Sequence, residues 1–111
     1  MTEGVRAYRF DGWEFNLNTR RLRSPDGRLI DLSNNGFSLL VFFLSAPHRV
    51  LSRGQLLDIS RLHGDDVYNR SVDMQVMRLR RKLEIDPSRA RYIQTQRGAE
   101  YVCSVAVETV Y

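Results

Sequence analysis

The sequence predicts an α+β fold built from a four-stranded antiparallel sheet, three helices and a carboxy-terminal β-hairpin, in that order along the chain. Up to position 32, short runs of aromatic and β-branched residues alternate with turn residues, as in a small antiparallel sheet. From 33 to 84 the apolar residues recur at helical spacing instead. Two final short runs flank a glycine-containing turn, and the length of 111 residues fits one such domain.

The predicted strands of the sheet are separated by residues that favour tight turns. Asp11-Gly12, Asn18-Thr19 and Pro25-Asp26-Gly27 supply these turns, because Asp and Gly accept the positive φ angles that hairpins require. The strand runs between them are Tyr8–Phe10, Trp13–Leu17, Arg21–Ser24 and Arg28–Leu32. We expect these runs to form the antiparallel sheet.

The first helix is expected to run from Ser33 to about Ala46, where Pro47 ends it. Apolar side chains surround nearly its whole circumference, which is typical of a helix packed between other elements. They are Phe37, Leu39, Leu40, Val41, Phe42, Phe43 and Leu44. A partner-binding face is the alternative that the sequence leaves open.

A second helix is expected to begin at Ser52, because Ser52 and Gln55 have the spacing of a capping box. It ends near Leu62. The next residues, 63–69, include a glycine and two adjacent aspartates and are expected to form a loop.

The excess positive charge is confined to one segment. The chain has 17 basic and 13 acidic residues, a net charge of +4, and every basic residue except Lys82 is arginine. Between Tyr68 and Leu83, five basic residues stand against one acidic residue, so this segment carries the whole excess. Arginine suits phosphates and guanine edges. A GC-rich genome also favours arginine, but it does not explain the clustering.

A third helix, from about Arg70 to Glu84, carries this charge and ends before Asp86-Pro87. At 100° per residue, Val72, Val76, Leu79 and Leu83 form a buried stripe. The opposite face presents Arg70, Met74, Met77, Arg78 and Arg81, with Ser71 and Asp73 on its flanks. A cationic face with short polar residues in its first turn is typical of a helix that enters the major groove.

A merely solvated face is the alternative for this helix. Such a face would place acidic partners four residues from its arginines, and only Arg80 with Glu84 does so, in the less favourable order.

The final strands, Tyr92–Gln96 and Tyr101–Val105, flank the turn Arg97-Gly98-Ala99-Glu100, and an arginine at a hairpin tip suits a minor groove. Three helices followed by such a hairpin predict a winged helix-turn-helix.

Other function classes find little support. Cys103 is the sole cysteine and is expected to be a small buried hydrophobe, while His48 and His63 lack a nucleophile or ligand partner at a motif spacing. No apolar run approaches the roughly 18 residues that span a membrane, and the amino end has no signal-peptide pattern. We expect no enzymatic activity, no metal, no cofactor and a cytoplasmic location.

Three segments carry a resemblance to a known family: LSRGQLL, RSVDMQVMRLRRKLE and YIQTQRGAEYV. In residue types and spacing they resemble the winged-helix DNA-binding output domain of OmpR/PhoB-family response regulators in bacterial two-component systems. The resemblance covers 8–105, so residues 1–7 are expected to be a linker and 106–111 a carboxy-terminal tail. It implies that the helix 70–84 is the recognition helix.

The resemblance also implies roles for individual residues. Those expected to read base edges are Ser71, Asp73, Met74 and Arg78. Those expected to contact the DNA backbone are Arg70, Gln75, Arg81 and Thr95. Arg97 in the wing would meet the minor groove. A loop that touches RNA polymerase in activators of this family is matched by 61–69, with Arg61, His63, Asp65, Asp66 and Tyr68.

The chain departs from the family pattern at three places. Gly36 stands where an acidic residue is usual, which removes half of a capping box. Glu100 replaces a wing glycine and is expected to weaken the contact of Arg97 with DNA. Met77 replaces a basic residue of several relatives, so an apolar tip would meet a thymine methyl instead of a phosphate.

The expected partners follow from the resemblance. They are double-stranded DNA with two copies on direct-repeat half-sites, RNA polymerase, and a receiver domain that no part of this chain resembles. Because the receiver supplies most of the dimerisation, this chain alone is expected to be a monomer. The alternative is a winged helix used mainly for contact with protein or RNA.

Overall fold

The computed structural model describes residues 4–62, 72–96 and 100–111, apart from the side chains of 59–62. The described residues form two antiparallel sheets and three α-helices. The elements are β1 Ala7–Phe10, β2 Trp13–Asn16, β3 Arg21–Arg23, β4 Leu29–Ile30, α1 Asn34–Ser45, β5 Val50–Ser52, α2 Arg53–Leu62, α3 Val72–Leu83, a 3-10 turn Pro87–Arg89, β6 Ile93–Gln96, β7 Glu100–Cys103 and β8 Glu108–Val110. Hairpin β6–β7 is the wing.

The amino-terminal sheet follows the predicted turns. Phe10 pairs with Trp13, which leaves Asp11 and Gly12 as a two-residue loop between β1 and β2. Their φ angles are 46° and 86°, the left-handed pair that a type I′ hairpin turn requires. Gly27, in the turn before β4, also has a positive φ of 90°.

A fifth strand, which the sequence did not predict, completes this sheet. The strand order is β4-β3-β2-β1-β8, and Ala7 pairs with Val110 while Arg9 pairs with Glu108. The residues 106–111, expected to be a tail, therefore contain a strand, and Ala7, expected in a linker, lies in β1. A strand of three residues carries no periodicity of its own and forms here because the edge of β1 is open to pairing.

The helix termini follow the predicted caps. Ser33 caps α1, and its Oγ accepts a hydrogen bond of 3.0 Å from the N–H of Gly36. Ser52 and Gln55 form a reciprocal capping box, with bonds of 2.9 Å and 3.2 Å between each side chain and the other backbone N–H. The preceding β5, also unpredicted, pairs with β7 in a sheet ordered β5-β7-β6.

The core lies where the sheets and helices meet. Phe15, Leu39, Phe43, Leu56 and Val76 have no exposed surface. The remaining large apolar side chains of α1 are buried or pack against this core, so α1 is a central helix as predicted. Cys103 is buried, and burial raises the pKa of its thiol. Within the described ranges, no helix combines the length and apolarity needed to cross a membrane.

Candidate nucleic-acid interface

The inner side of α3 is the predicted apolar stripe. Val72, Val76, Leu79 and Leu83 are each at most 5% exposed. They pack into the core beside α1 and the wing. This burial fixes which side of α3 faces away from the protein.

The outer face of α3 is formed by Met74, Met77, Arg78 and Arg81, which lie within about 100° of one another around the helix axis. Both arginines are exposed, and the methionine side chains are 45% and 36% exposed. An acidic residue in the first turn and basic residues in the last turn complement the helix dipole. The outer face is therefore a cationic surface that also exposes two apolar side chains.

One flank of α3 carries Asp73, Arg80 and Glu84, and we call it the wing-facing edge. All three side chains bind residues of the wing or of the segment just before β6. Asp73 lies in the first turn. Its carboxylate accepts bonds of 3.1 Å and 2.7 Å from Nε and Nη2 of Arg53, and another bond from the Tyr101 hydroxyl. The Tyr101 hydroxyl, with Arg53, holds the pKa of Asp73 below its ordinary value of 3.8. Asp73, which the sequence predicts to face base edges, joins α2, α3 and β7 through these bonds and keeps about half of its side chain exposed.

Arg80 is the second member of the wing-facing edge and is only 9% exposed. Its Nε donates to the carbonyl of Ile93 at 2.8 Å, and its Nη2 donates to Oγ1 of Thr95 at 2.9 Å. Its Cζ lies 5.6 Å from the centroid of the Tyr101 ring, within cation–π range. Arg80 therefore donates hydrogen bonds from Nε and Nη2 to residues of β6.

Glu84, the third member, is 7% exposed and accepts hydrogen bonds from three backbone N–H groups of the described residues. Its carboxylate binds the N–H of Arg91 at 2.8 Å and those of Tyr92 and Ile93 at 3.0 Å each. In the described residues Arg80 and Glu84 make no ion pair with each other. Both residues therefore bind the start of β6 and hold it against α3.

Two other polar side chains of α3 do not belong to the outer face. Gln75, expected to contact the DNA backbone, is buried at 5% exposure on the other flank. Nζ of Lys82 donates to the backbone carbonyl of Asp31, just before α1. The described cations of the outer face of α3 are therefore Arg78 and Arg81, with the exposed Lys82 beside them on the flank.

The structure brings part of the predicted site together. Met74, Arg78 and Arg81 share the outer face, and Thr95 is exposed on β6. Glu100 is half-buried and pairs with Gln96 at the outer end of the described wing. The predicted residues outside the described ranges are Arg70, Ser71, Arg97, His63, Asp65, Asp66 and Tyr68, and Arg61 lies in α2 with its side chain outside the description.

A comparison with protein-family models decides the family. Residues 27–103, more than half of the chain, match the model described as "Transcriptional regulatory protein, C terminal". The chain belongs to this family. Its winged-helix fold is that of the carboxy-terminal DNA-binding domains of OmpR/PhoB-family response regulators.

Relatives of this output domain extend the match beyond the family model. Regulatory protein VirG of Agrobacterium fabrum is 46% identical over 110 residues, which is 99% of this chain and 44% of VirG. The chain therefore spans about half the length of the curated relatives it matches.

Two solved structures show the same fold. DrrB, an OmpR/PhoB homologue from Thermotoga maritima, superposes with a TM-score of 0.77 and 29% identity over 89% of this chain and 44% of DrrB. The RstA DNA-binding domain of Klebsiella pneumoniae, solved in complex with the RstA box, has a TM-score of 0.74 and 26% identity over 88% of this chain and 96% of that domain.

The wing-facing edge of this output domain is what the sequence did not predict. Arg53, Tyr101 and Arg80 take part in it, and none of them was a candidate site residue. One signal was present, because Asp73, Arg80 and Glu84 are spaced by seven and four residues and so fall on one flank of the helix. Their partners lie 7 to 28 positions away along the chain, beyond the reach of the helix period.

Proposed function

We propose that this chain binds duplex DNA in a sequence-specific manner and regulates transcription as the output domain of a response regulator. In this proposal the outer face of α3 lies in the major groove and the wing reaches the adjacent minor groove. The RstA domain, which matches along nearly its whole length, is a DNA-binding domain complexed with its DNA box.

The observation that carries the proposal is the division of α3 into a buried stripe and a cationic outer face. A helix of 12 residues is about 18 Å long, and the major groove of about 12 Å admits a helix with its side chains. Arg78 and Arg81 project from the face that the core leaves uncovered. Arginine donors suit both the guanine edge and the phosphate.

The contact set combines this geometry with the family resemblance. Arg78 and Met74 read base edges, Arg81 and Thr95 bind phosphates, and Met77 supports an apolar contact with a thymine methyl. Asp73 and Gln75 are left out of the set, because Asp73 binds Arg53 and Tyr101 and Gln75 is buried. Ser71, Arg70 and Arg97, outside the described residues, enter through the resemblance alone.

The test compares Arg78→Ala with Arg81→Ala on a duplex obtained by selection from a random pool. Arg78→Ala should lose about 1 to 3 kcal/mol of discrimination at one base step, whereas Arg81→Ala should weaken all sequences alike and reduce the salt slope by about 1. Arg21→Ala, an exposed arginine on β3, is the matched control and should change neither quantity. Equal effects from the two α3 variants would show that the reading face is misassigned.

Salt dependence separates DNA binding from the alternative of protein contact, and competition by RNA of the same length separates it from RNA contact. The four arginines of the contact set, Arg70, Arg78, Arg81 and Arg97, give a slope of log K against log salt of about −3 to −4, because each cation on the DNA releases about one counterion. A flat response would contradict the proposal and favour protein contact. Equal affinity for selected and random duplexes at equal salt would contradict sequence-specific binding.

Further partners belong to the proposal through the family resemblance. Two copies would bind direct-repeat half-sites head to tail, a receiver domain would supply most of the dimerisation, and the segment 61–69 would contact RNA polymerase in the cytoplasm. Sedimentation of this chain without DNA should then give a monomer, and a tight dimer would contradict this part of the proposal.

A further inference from the structure

We propose that Arg80 is a positioning residue that orients the Thr95 hydroxyl as a hydrogen-bond donor to a DNA phosphate, and that Arg80 does not itself bind DNA. The inference rests on the proposed function, since it concerns how the wing strand meets the DNA backbone. It gives a role to a buried arginine in the most basic segment of the chain.

The first step is the geometry of the Arg80 guanidinium. Two of its N–H groups bind β6, one the carbonyl of Ile93 at 2.8 Å and the other Oγ1 of Thr95 at 2.9 Å. The planar fork of arginine reaches both acceptors at once, whereas the single ammonium of lysine is a point donor. Arg80 therefore links the Thr95 hydroxyl and the backbone of β6 to α3.

The second step is the chemistry of the Thr95 hydroxyl, which has one proton and two lone pairs. Because Arg80 has no acceptor atom, the hydroxyl must accept from it, and its own proton points elsewhere. Among the described residues no group accepts that proton, and Thr95 is exposed. A cationic donor on the oxygen also polarises the O–H bond and strengthens it as a donor. A phosphate oxygen is the acceptor that completes this arrangement.

The third step is that Arg80 itself is held away from the outer face. At 9% exposure it is buried where Arg78 and Arg81 are exposed, and the Tyr101 ring lies beneath it. Thr95 pairs with Tyr101 across the wing, and the Tyr101 hydroxyl binds Asp73. Arg80 is thus enclosed by α3 and the wing, with its charge directed at β6.

The test measures binding of the selected duplex by fluorescence anisotropy at several salt concentrations. Thr95→Val removes the hydroxyl at constant volume and should weaken binding about tenfold, while Thr95→Ser, which keeps it, should stay within about twofold. Arg80→Met should also weaken binding about tenfold but leave the salt slope unchanged. Its neighbour Arg81→Ala is the matched control and should reduce the slope by about 0.9.

The double variant separates positioning from a purely structural role. If Arg80 acts through Thr95, Arg80→Met adds no further loss in the Thr95→Val background. A general loosening of the wing would weaken binding in both backgrounds, and this additive result would overturn the inference. A reduction of the salt slope by about 0.9 in Arg80→Met would also overturn it, by making Arg80 a phosphate ligand.

Arg80→Lys covers the case in which Arg80→Met does not fold. It keeps the charge but loses the fork, so it should weaken binding in the Thr95 background and have no effect in the Thr95→Val background. An effect of equal size in both backgrounds would overturn the inference.

A flat salt response of the unaltered chain would defeat the proposed function, whereas a steep slope with an unaffected Thr95→Val variant would defeat this inference alone.

Discussion

Replacing Glu84 by Gln tests how strongly α3 is fastened to the wing. The Glu84 carboxylate is 7% exposed and accepts N–H groups from Arg91, Tyr92 and Ile93 with both of its oxygens. Glutamine has nearly the same shape, but one oxygen becomes an amide nitrogen that cannot accept a hydrogen bond. At least one N–H of this segment, where Ile93 is 1% exposed, then loses its acceptor.

The size of the effect follows from these contacts. An unsatisfied buried donor costs about 1 to 3 kcal/mol, and the remaining bonds weaken because their acceptor is no longer charged. We therefore expect the free energy of unfolding to fall by about 2 to 4 kcal/mol. For a chain of 111 residues each kcal/mol lowers Tm by about 4 °C, so the melting point should fall by about 8 to 16 °C.

Urea unfolding and thermal melting measure this loss directly. Glu108→Gln is the matched control, because Glu108 is exposed on the edge strand β8, and it should change the stability by less than about 0.5 kcal/mol. If Glu84→Gln were as mild as this control, the carboxylate would not be what fastens the wing to α3, and the reasoning would be refuted.

Two further predictions concern the Asp73 ion pair and the first hairpin turn. The pKa of Asp73 is lowered chiefly by the Tyr101 hydroxyl, so its stabilisation is present above the ordinary value of 3.8 and is lost as pH falls through the folded-state pKa. Asp73→Asn should therefore lower the free energy of unfolding by less than about 1 kcal/mol, since the ion pair is half-exposed, and this loss should be constant from about pH 7 to pH 5. Below about pH 4 the difference between the two proteins should shrink. A loss of stability that grows as the pH falls, measured by urea unfolding, would contradict this. Gly12→Ala should cost about 1 to 2 kcal/mol in urea unfolding, because φ is +86° and the new Cβ lies 3.2 Å from two Pro25 atoms. Gly54→Ala, in the first turn of α2 with only Ser52 Oγ at 3.8 Å, should be neutral or stabilising, and equal costs at the two glycines would refute the φ argument.

Much of the fold was predictable because it depends on interactions between near neighbours. The type I′ turn at Asp11-Gly12, the Ser33 cap and the Ser52–Gln55 capping box each join residues at most three positions apart. The buried stripe of α3 repeats with the helix period. For the same reason the outer face, with Met74, Arg78 and Arg81, was also predictable.

The unpredicted strands have distant partners instead. Both β5 and β8 are three residues long and show no alternation that would distinguish them from loop or tail. Val50 pairs with Val102, and Val110 pairs with Ala7 at the other end of the chain. Such strands exist because a neighbouring strand offers an unpaired edge.

By itself, the sequence determined the order of the main elements, the inner and outer sides of α3, and the clustering of positive charge that points to DNA. The roles of the flanks of α3 became visible in the folded chain, where Asp73 binds Arg53 and Tyr101, Gln75 is buried, and Arg80 and Glu84 bind the start of the wing. Helical spacing assigns a residue to an angle around the axis, but the partner of a long polar side chain depends on which strand folding brings to that angle.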